Sequence, residues 1–251
     1  MLLGVNEDEN DAVSLLVGQY DKFFKSVELG EELIKEMIMS SIFGIPITSH
    51  YAKSLNRVLL KRITNLATNF RAFNNLSTKV QEVLLKRNAD LIVCLRLSIF
   101  FEMKTGLCQI RSIIGHEDIE NTENMIAATL KSNSTTKASY KPIQYYNIHN
   151  INMTEKEISR SQRHLWLQRK IAKAVAFNEC LAKVLSYVLL FCSDFSDDDM
   201  TSSARIEVEI SQQNLIRILQ KFVSATFPES VANYLFREIM ECVGNLRELV
   251  L

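Results

Sequence analysis

Side-chain patterns that carry enzymatic chemistry do not occur in this sequence. Zinc hydrolases place two histidines one helical turn apart beside a glutamate, serine hydrolases place a serine between two glycines, and phosphate loops cluster glycines. Here no H-E-x-x-H, no G-x-S-x-G and no glycine-rich loop is present. We therefore expect no catalytic residues, no metal and no cofactor, and a protein that is not an enzyme. The scattered histidines are His50, His116, His149 and His164.

Cysteines and an aspartate run are the other groups that could bind a metal ion. The cysteines lie far apart without a C-x-x-C pair, and apolar neighbours, as around Cys94, predict reduced thiols in a core. The run Asp197-Asp198-Asp199 lacks the alternating ligands and the glycine of a calcium loop, so it is interpreted as a solvated helix cap. The five cysteines are Cys94, Cys108, Cys180, Cys192 and Cys242.

The composition is that of a globular protein rather than a nucleic-acid-binding or membrane protein. Of 251 residues, 47% are hydrophobic and 23% charged, which suits one domain with a sizeable core. Lys plus Arg equals Asp plus Glu at 29 each, so no overall field attracts nucleic acid. The acidic start at 6–9 is unlike a signal peptide, and no apolar run has membrane-spanning length. We expect a single domain over 1–251, in the nucleus or cytoplasm.

The sequence predicts a mainly helical chain, because apolar residues recur every three or four positions and only three prolines interrupt them. Any functional side chains must therefore be positioned by helices. One stretch, 91–101, is apolar almost all round and should be buried on every side. Residues 117–152 are rich in Asn, Ser, Thr and Lys and predict an irregular or mobile insertion. The predicted helices are 12–27, 31–43, 49–70, 79–101, a region from 154 to 192, 204–222 and 230 to the end, with a small β-hairpin within 101–110.

The segment 67–86 carries a recognisable motif. It reads A-T-N-F-R-A-F-N-N-L-S-T-K-V-Q-E-V-L-L-K, and it resembles the nuclear receptor signature A-K-x-x-P-G-F-x-x-L-x-x-x-D-Q-x-x-L-L-K. Phe73, Leu76, Gln81 and the run Leu84-Leu85-Lys86 align with the same residue types of the signature without a gap. Further stretches at 13–23, 188–194, 208–220 and 243–249 resemble the same ligand-binding domain, nearest to the vitamin D, pregnane X and arthropod xenobiotic-sensing receptors.

This resemblance implies an all-α, three-layer helical sandwich with a small β-hairpin. In such a fold Phe73, Leu76 and Leu84 close the domain centre, while Gln81 and Lys86 face outward. The cysteine pattern excludes the two zinc modules of an intact receptor, so the chain lacks a DNA-binding domain. A piece cut from a longer receptor, without those modules and the last helix, is the remaining alternative.

A pocket for an apolar small molecule is a further implication of the resemblance. Arg96 is notable within it, because a guanidinium on an apolar helix must meet a ligand oxygen, a carboxylate or main-chain carbonyls. A structural bond to the hairpin backbone is the alternative for Arg96, and plain core packing is the alternative for the others. The implied ligand-binding residues are Leu55, Asn56, Leu59, Val93, Cys94, Arg96, Leu97 and Phe100.

The groove that binds coactivator helices in this family is degraded here. Thr68 replaces the usual lysine, Glu82 stands where the groove is normally apolar, and only Lys86 matches. Residues 246–250 resemble the core of the final activation helix, yet they match the tenth helix in register. We therefore expect the activation helix to be absent or severely altered.

Dimerisation is the last implied property. Four apolar residues at helical spacing near the end match the surface that pairs subunits in this family, although such a stripe could instead pack onto its own core. The resemblance implies a domain that binds an apolar small molecule, a hormone or a xenobiotic, and modulates transcription as a homodimer or as a heterodimer with a retinoid X receptor type partner. Its expected role is that of a repressive or sequestering partner, without contact to DNA or membranes. A ligand-independent dimerisation module with a filled pocket is the alternative. The stripe is Leu235, Ile239, Val243 and Leu246.

Overall fold

A computed structural model describes residues 9–24, 26–43, 49–99, 101–102, 107–108, 166, 169–175, 178–192 and 200–250. These residues are almost all helical, which confirms the predicted all-α class. The predicted insertion at 117–152, the predicted helix start near 154 and Asp197-Asp198-Asp199 lie outside them. The elements are α1 (Glu9–Phe24), α2 (Glu31–Phe43), α3 (Ser49–Thr68), α4 (Arg71–Asn74), α5 (Thr78–Ile99), β1 (Phe101–Glu102), β2 (Leu107–Cys108), α6 (Glu179–Leu190), α7 (Ser202–Thr226) and α8 (Glu229–Val250).

Helix boundaries follow local capping chemistry. The Asn178 side chain accepts from the Leu181 amide at 3.0 Å and begins α6, and the Thr201 hydroxyl accepts from the Ala204 amide at 3.3 Å and begins α7. Such caps satisfy amides that have no partner inside the helix. α2 has the predicted bounds, whereas α7 extends further in both directions than the predicted 204–222.

The short strands β1 and β2 pair antiparallel, with Phe101 opposite Cys108 and Glu102 opposite Leu107. Residues 103–106, which would join them in a hairpin, lie outside the described residues. The predicted β-hairpin therefore stays a prediction.

α5 and α6 together form the centre of the described core, and all residues of α6 from Leu181 to Leu190 are buried. α5 packs against α3, α6 and α8, while α1 packs against α3, α6 and α7. Around the C-terminal half of α5, Leu91, Ile92, Leu95 and Ser98 are buried, and Asp90 is exposed. The prediction that this stretch is buried on nearly every side is confirmed for the residues described here.

A cluster of aromatic side chains connects α4 and α1 to the C-terminal half of α6. The Phe73 and Phe191 rings meet edge to face with centroids 6.1 Å apart, and Phe70 lies 4.9 Å from Tyr187. The Tyr187 hydroxyl donates to the carbonyl of Leu16 at 3.2 Å, which satisfies a buried polar group. The cluster therefore joins α1, α4 and α6 through both packing and hydrogen bonding.

The turn from α4 to α5 corrects one expectation. Gln81 was expected to face outward, yet its side-chain amide donates to the carbonyls of Leu76 at 2.8 Å and Phe73 at 3.2 Å. The physical reason is that the turn from α4 to α5 leaves carbonyls outside the regular helical ladder, and a primary amide provides N–H donors for them; the Phe73 carbonyl also accepts from the Leu76 amide at 3.1 Å. Lys86 is exposed, as expected.

Asn88 ties α5 to the end of α6. This buried residue donates through its amide to the carbonyls of Leu190 and Cys192, each at 3.0 Å. A hydrogen bond to a buried carbonyl at a helix end avoids a desolvation cost of about 1–3 kcal/mol. A side-chain cap from a neighbouring helix therefore allows α6 to end inside the core.

Candidate functional site

The implied ligand-binding residues are found mainly in the packed core between α3 and α5. Leu55 and Leu59 are buried on the inner face of α3, Cys94 is buried on α5, and Val93 is half-buried against the same core. The side chains of Leu97 and Phe100 lie outside the described residues. The structure thus brings four of these residues into one apolar cluster, as expected both for a pocket wall and for plain core.

Asn56 does not belong to that cluster. It is exposed and lines a groove on the outer side of α3, because successive helical residues are turned by about 100° and Asn56 faces away from Leu55 and Leu59. The expectation that Asn56 contacts an interior ligand is corrected by this placement.

Arg96 meets a carboxylate, one of the partners that the sequence allowed. Its Nη1 donates to Oε1 of Glu179 on α6 at 3.1 Å, and only 7% of the residue is exposed. The guanidinium also lies over the rings of Tyr20 and Phe24, 5.8 Å and 5.5 Å from their centroids. Both contacts favour a buried cation, so Arg96 is held by the protein itself.

Lys183 extends this pair into a four-residue charge network. Its Nζ lies 2.9 Å from the carboxylate of Asp21 on α1 and 3.5 Å from that of Glu179. With Arg96, two cations and two carboxylates join α1, α5 and α6, and their charges sum to zero. We define Asp21, Arg96, Glu179 and Lys183 as the charge network. Sequence reasoning missed it, although a lysine within the apolar stretch 181–190 signals a need for a buried partner.

Acid–base properties of the network fit a structural role. Burial alone would raise the pKa of Glu179, but the charges and hydrogen bonds of Arg96 and Lys183 outweigh it and hold that pKa below its usual range. Burial raises the pKa of Tyr20, although the nearby charge of Arg96 and a hydrogen bond with Ser186 oppose the change. At neutral pH Glu179 is therefore ionised and Tyr20 is a neutral phenol.

The buried thiols of the core are protonated. Burial raises the pKa of Cys94 to about 12 and that of Cys242 to about 11. A thiol in that state is a poor nucleophile, because the thiolate is the reactive form. These two cysteines act as small apolar residues, as the sequence indicated.

The three residues that the resemblance assigns to a degraded coactivator groove lie on the surface. Thr68 is exposed near the end of α3, and its hydroxyl donates to the Thr64 carbonyl at 2.9 Å. Glu82 and Lys86 are exposed one turn apart on α5. Because opposite charges stand side by side on α5 while α3 provides a hydroxyl, the clamp of one lysine and one glutamate on separate helices is not reproduced by these three residues.

The apolar stripe of α8 is turned inward. Leu235 and Val243 are buried, and Ile239 is 0% exposed, so these three residues belong to the chain's own core. The expectation that they form a dimer surface is corrected to the stated alternative, because an amphipathic helix buries its apolar face first against its own domain. The side chain of Leu246 lies outside the described residues. On the opposite face, Tyr234 is 57% exposed.

A surface groove on the outer side of α3 is a feature that the sequence did not single out. Its volume is about 620 Å³, within the range of ligand-sized clefts. The signal was present, since Lys53, Arg57 and Lys61 recur every four residues on the side away from Leu55 and Leu59. We call this feature the α3 groove; its lining residues are Val27, Lys53, Asn56, Arg57, Leu60, Lys61, Thr64 and Asn65.

The described residues contain neither a group of metal ligands nor a membrane-spanning helix. Among the residues that the structure describes, no three His, Cys, Asp or Glu side chains are grouped so that they could hold a metal ion. None of the helices in the described ranges combines the length and the apolar character needed to cross a membrane.

Comparisons with known proteins give no independent assignment. No protein-family model matches the sequence, and a search of curated proteins finds no significant match.

Proposed function

We propose that this chain is a ligand-binding-type domain of the nuclear receptor kind, which binds an apolar small molecule and modulates transcription through dimerisation without contacting DNA. The observation that carries the proposal is the burial of α5, which packs against α3, α6 and α8. A central helix covered by others is what a three-layer sandwich requires. The motif that resembles the receptor signature spans the end of α3, α4 and the start of α5, which are consecutive packed elements.

The proposed ligand would lie against the inner face of α3 and the middle of α5. Leu55, Leu59, Val93 and Cys94 offer an apolar surface there. Arg96 already donates to Glu179, so a ligand carboxylate would have to compete with a bond inside the protein. The ligand class that follows is neutral and apolar.

Repression or sequestration is the proposed regulatory role. The charges that grip a coactivator helix are incomplete at Thr68, Glu82 and Lys86, so recruitment of coactivators would be weak. A domain that still pairs with a second copy, or with a retinoid X receptor type partner, would then reduce the pool of active dimers. The partner-facing surface would be an exposed face of the helices, because Leu235, Ile239 and Val243 are buried.

A second function, a dimerisation module that needs no ligand, is favoured by a different observation. Leu55, Leu59 and Cys94 are already buried by protein atoms, and Arg96 has a carboxylate partner. A pocket filled by side chains leaves dimerisation as the mode of action. The two functions differ in whether the purified protein retains a small molecule.

Native mass spectrometry of the protein as expressed tests the proposal. A lipid-sized adduct is expected on the wild type and on a Leu60→Trp control, whose site is 45% exposed, and the adduct should be lost from Leu59→Trp, whose larger ring occupies the inner face of α3. Circular dichroism verifies that both variants fold.

The other outcomes are equally decisive. An adduct-free dimer supports the dimerisation module, and an adduct-free monomer that also fails to pair with a retinoid X receptor domain in size-exclusion chromatography contradicts both functions. An adduct that survives Leu59→Trp contradicts the proposed position of the ligand.

A further inference from the structure

The α3 groove has a strongly basic wall. Lys53, Arg57 and Lys61 line it, and among the described residues its lining contains no Asp or Glu. All three side chains belong to exposed residues, and none of them forms an ion pair within the described part of the chain. Since Lys plus Arg equals Asp plus Glu over the whole chain, this is a local concentration of positive charge. Its complement is an anionic partner.

The spacing of the cations indicates the shape of that partner. Residues four apart on a helix rise by about 6 Å, so the three charges form a line about 12 Å long. Carboxylates one turn apart on a helical peptide have the same spacing, and alternate residues of an extended peptide are separated by about 6.6 Å. An acidic peptide can therefore present one carboxylate to each cation in either conformation.

Apolar and amide groups in the same groove favour a peptide over other anions. Leu60 is 45% exposed and lies beside half-buried Val27, which gives an apolar contact for a peptide side chain. Asn56 provides a side-chain amide that can bond to a peptide backbone, and Asn65, whose amide nitrogen donates to the Ser26 hydroxyl, provides its side-chain carbonyl oxygen as an acceptor. Three cations in line are few for tracking a nucleic-acid backbone, and a peptide can use the apolar and amide groups of the groove together with its charges.

The geometry points to the α3 groove as a docking site for an acidic peptide segment of a partner protein, with carboxylates paired to Lys53, Arg57 and Lys61 and an apolar side chain placed against Leu60. This interaction is separate from the proposed interior ligand site, because Leu55 and Leu59 face the opposite side of α3. It does not depend on the proposed function.

Fluorescence anisotropy with a labelled peptide tests the assignment. The probe is a peptide with glutamates one helical turn apart and leucines between them, and its counterpart has glutamine in place of each glutamate. The acidic probe should bind saturably, and the triple variant Lys53→Ala, Arg57→Ala, Lys61→Ala should weaken binding about tenfold, because three exposed ion pairs of ordinary strength combine to roughly that factor. Binding should also weaken as salt rises.

A matched control removes three exposed cations elsewhere, with Arg71→Ala, Lys79→Ala and Lys173→Ala, and it should bind like the wild type. Equal weakening by both triple variants, equal affinity for the glutamine peptide, or no binding of the acidic probe would overturn the proposal. The same holds if anionic phospholipid vesicles or a DNA duplex bind in a manner that depends on the three cations while the peptide does not.

Discussion

Arg96 on α5 and Glu179 at the start of α6 lie 83 residues apart in the sequence, and a guanidinium N–H of the first donates to the carboxylate of the second at 3.1 Å. The carboxylate is also within 3.5 Å of the Lys183 ammonium, one turn along the same helix. Its position in the first turn of α6 is favourable, since the helix N-terminus carries partial positive charge. Glu179 thus compensates two cations and a helix end at once.

Removing the Glu179 charge should destabilise the fold. Glu179→Gln retains the shape of the side chain but leaves Arg96 and Lys183 with less compensation, so the free energy of unfolding should fall by about 1–2 kcal/mol. Urea unfolding followed by circular dichroism measures this change. The control is Glu31→Gln, which breaks the exposed pair with Lys35 and should change stability little. Equal losses in the two variants would argue against a special role for the charge network.

The contribution of Glu179 should depend on pH in one direction. Its pKa is lowered in the folded state, so its stabilisation is complete above the usual glutamate pKa of about 4.3 and disappears as the pH falls through the lower folded-state value. The stability difference between wild type and Glu179→Gln should therefore be constant from pH 7 to about 5 and shrink below about 4.3. Urea titrations at a series of pH values provide the test, and a difference that grows on acidification would contradict it.

The stability of the fold should depend on the side-chain N–H donors of Gln81. Gln81→Ala leaves the carbonyls of Phe73 and Leu76 without their side-chain partner and should lower the free energy of unfolding by about 1–2 kcal/mol. Gln81→Glu should cost more at neutral pH, because a carboxylate would face those carbonyls, and this extra loss should shrink as the pH falls toward about 4.3. Thermal unfolding at two pH values measures both effects. Glu82→Ala, at the exposed neighbour, is the control and should be nearly neutral.

Substitutions on the two faces of α8 should have different effects, one on folding and the other on association. Ile239→Ala empties a fully buried site and should lower the free energy of unfolding by about 3 kcal/mol. Tyr234→Ala, on the exposed face, should leave that free energy almost unchanged. If this face pairs subunits, Tyr234→Ala should weaken self-association in sedimentation experiments. If a fully folded Ile239→Ala protein no longer dimerised, that result would instead support the stripe of Leu235, Ile239 and Val243 as the dimer interface.

Periodicity made much of this fold predictable. Apolar spacing gave the all-α class and the enclosed stretch of α5, because burying one stripe of a helix leaves a regular trace in the sequence. The bounds of α7 and the inward orientation of Gln81 were not predictable from that spacing, since they depend on which carbonyls and amides need partners in the folded chain.

The site residues were less predictable than the helices. The sequence pattern around Leu55 and Leu59 is the same whether they line a pocket or fill a core. In the same way, the pattern does not indicate whether Leu235 faces a partner or its own domain. Arg96 was correctly identified as needing a partner, but Glu179 could not be named, because 83 residues separate them and no local rule connects them. The basic line on α3 was visible in the sequence, although the groove it borders also depends on Val27, which lies in the connection between α1 and α2.

The enclosure of α5 also determines how the amide hydrogens of this protein exchange with deuterium. A helix covered by α3, α6 and α8 cannot fray locally without separating those neighbours, so its innermost amides exchange only through opening of the whole domain. Among the described residues, the slowest deuterium uptake should therefore lie near Leu91, Ile92 and Leu95 and in α6, whose residues 181–190 are all buried, and its rate would report the global unfolding equilibrium.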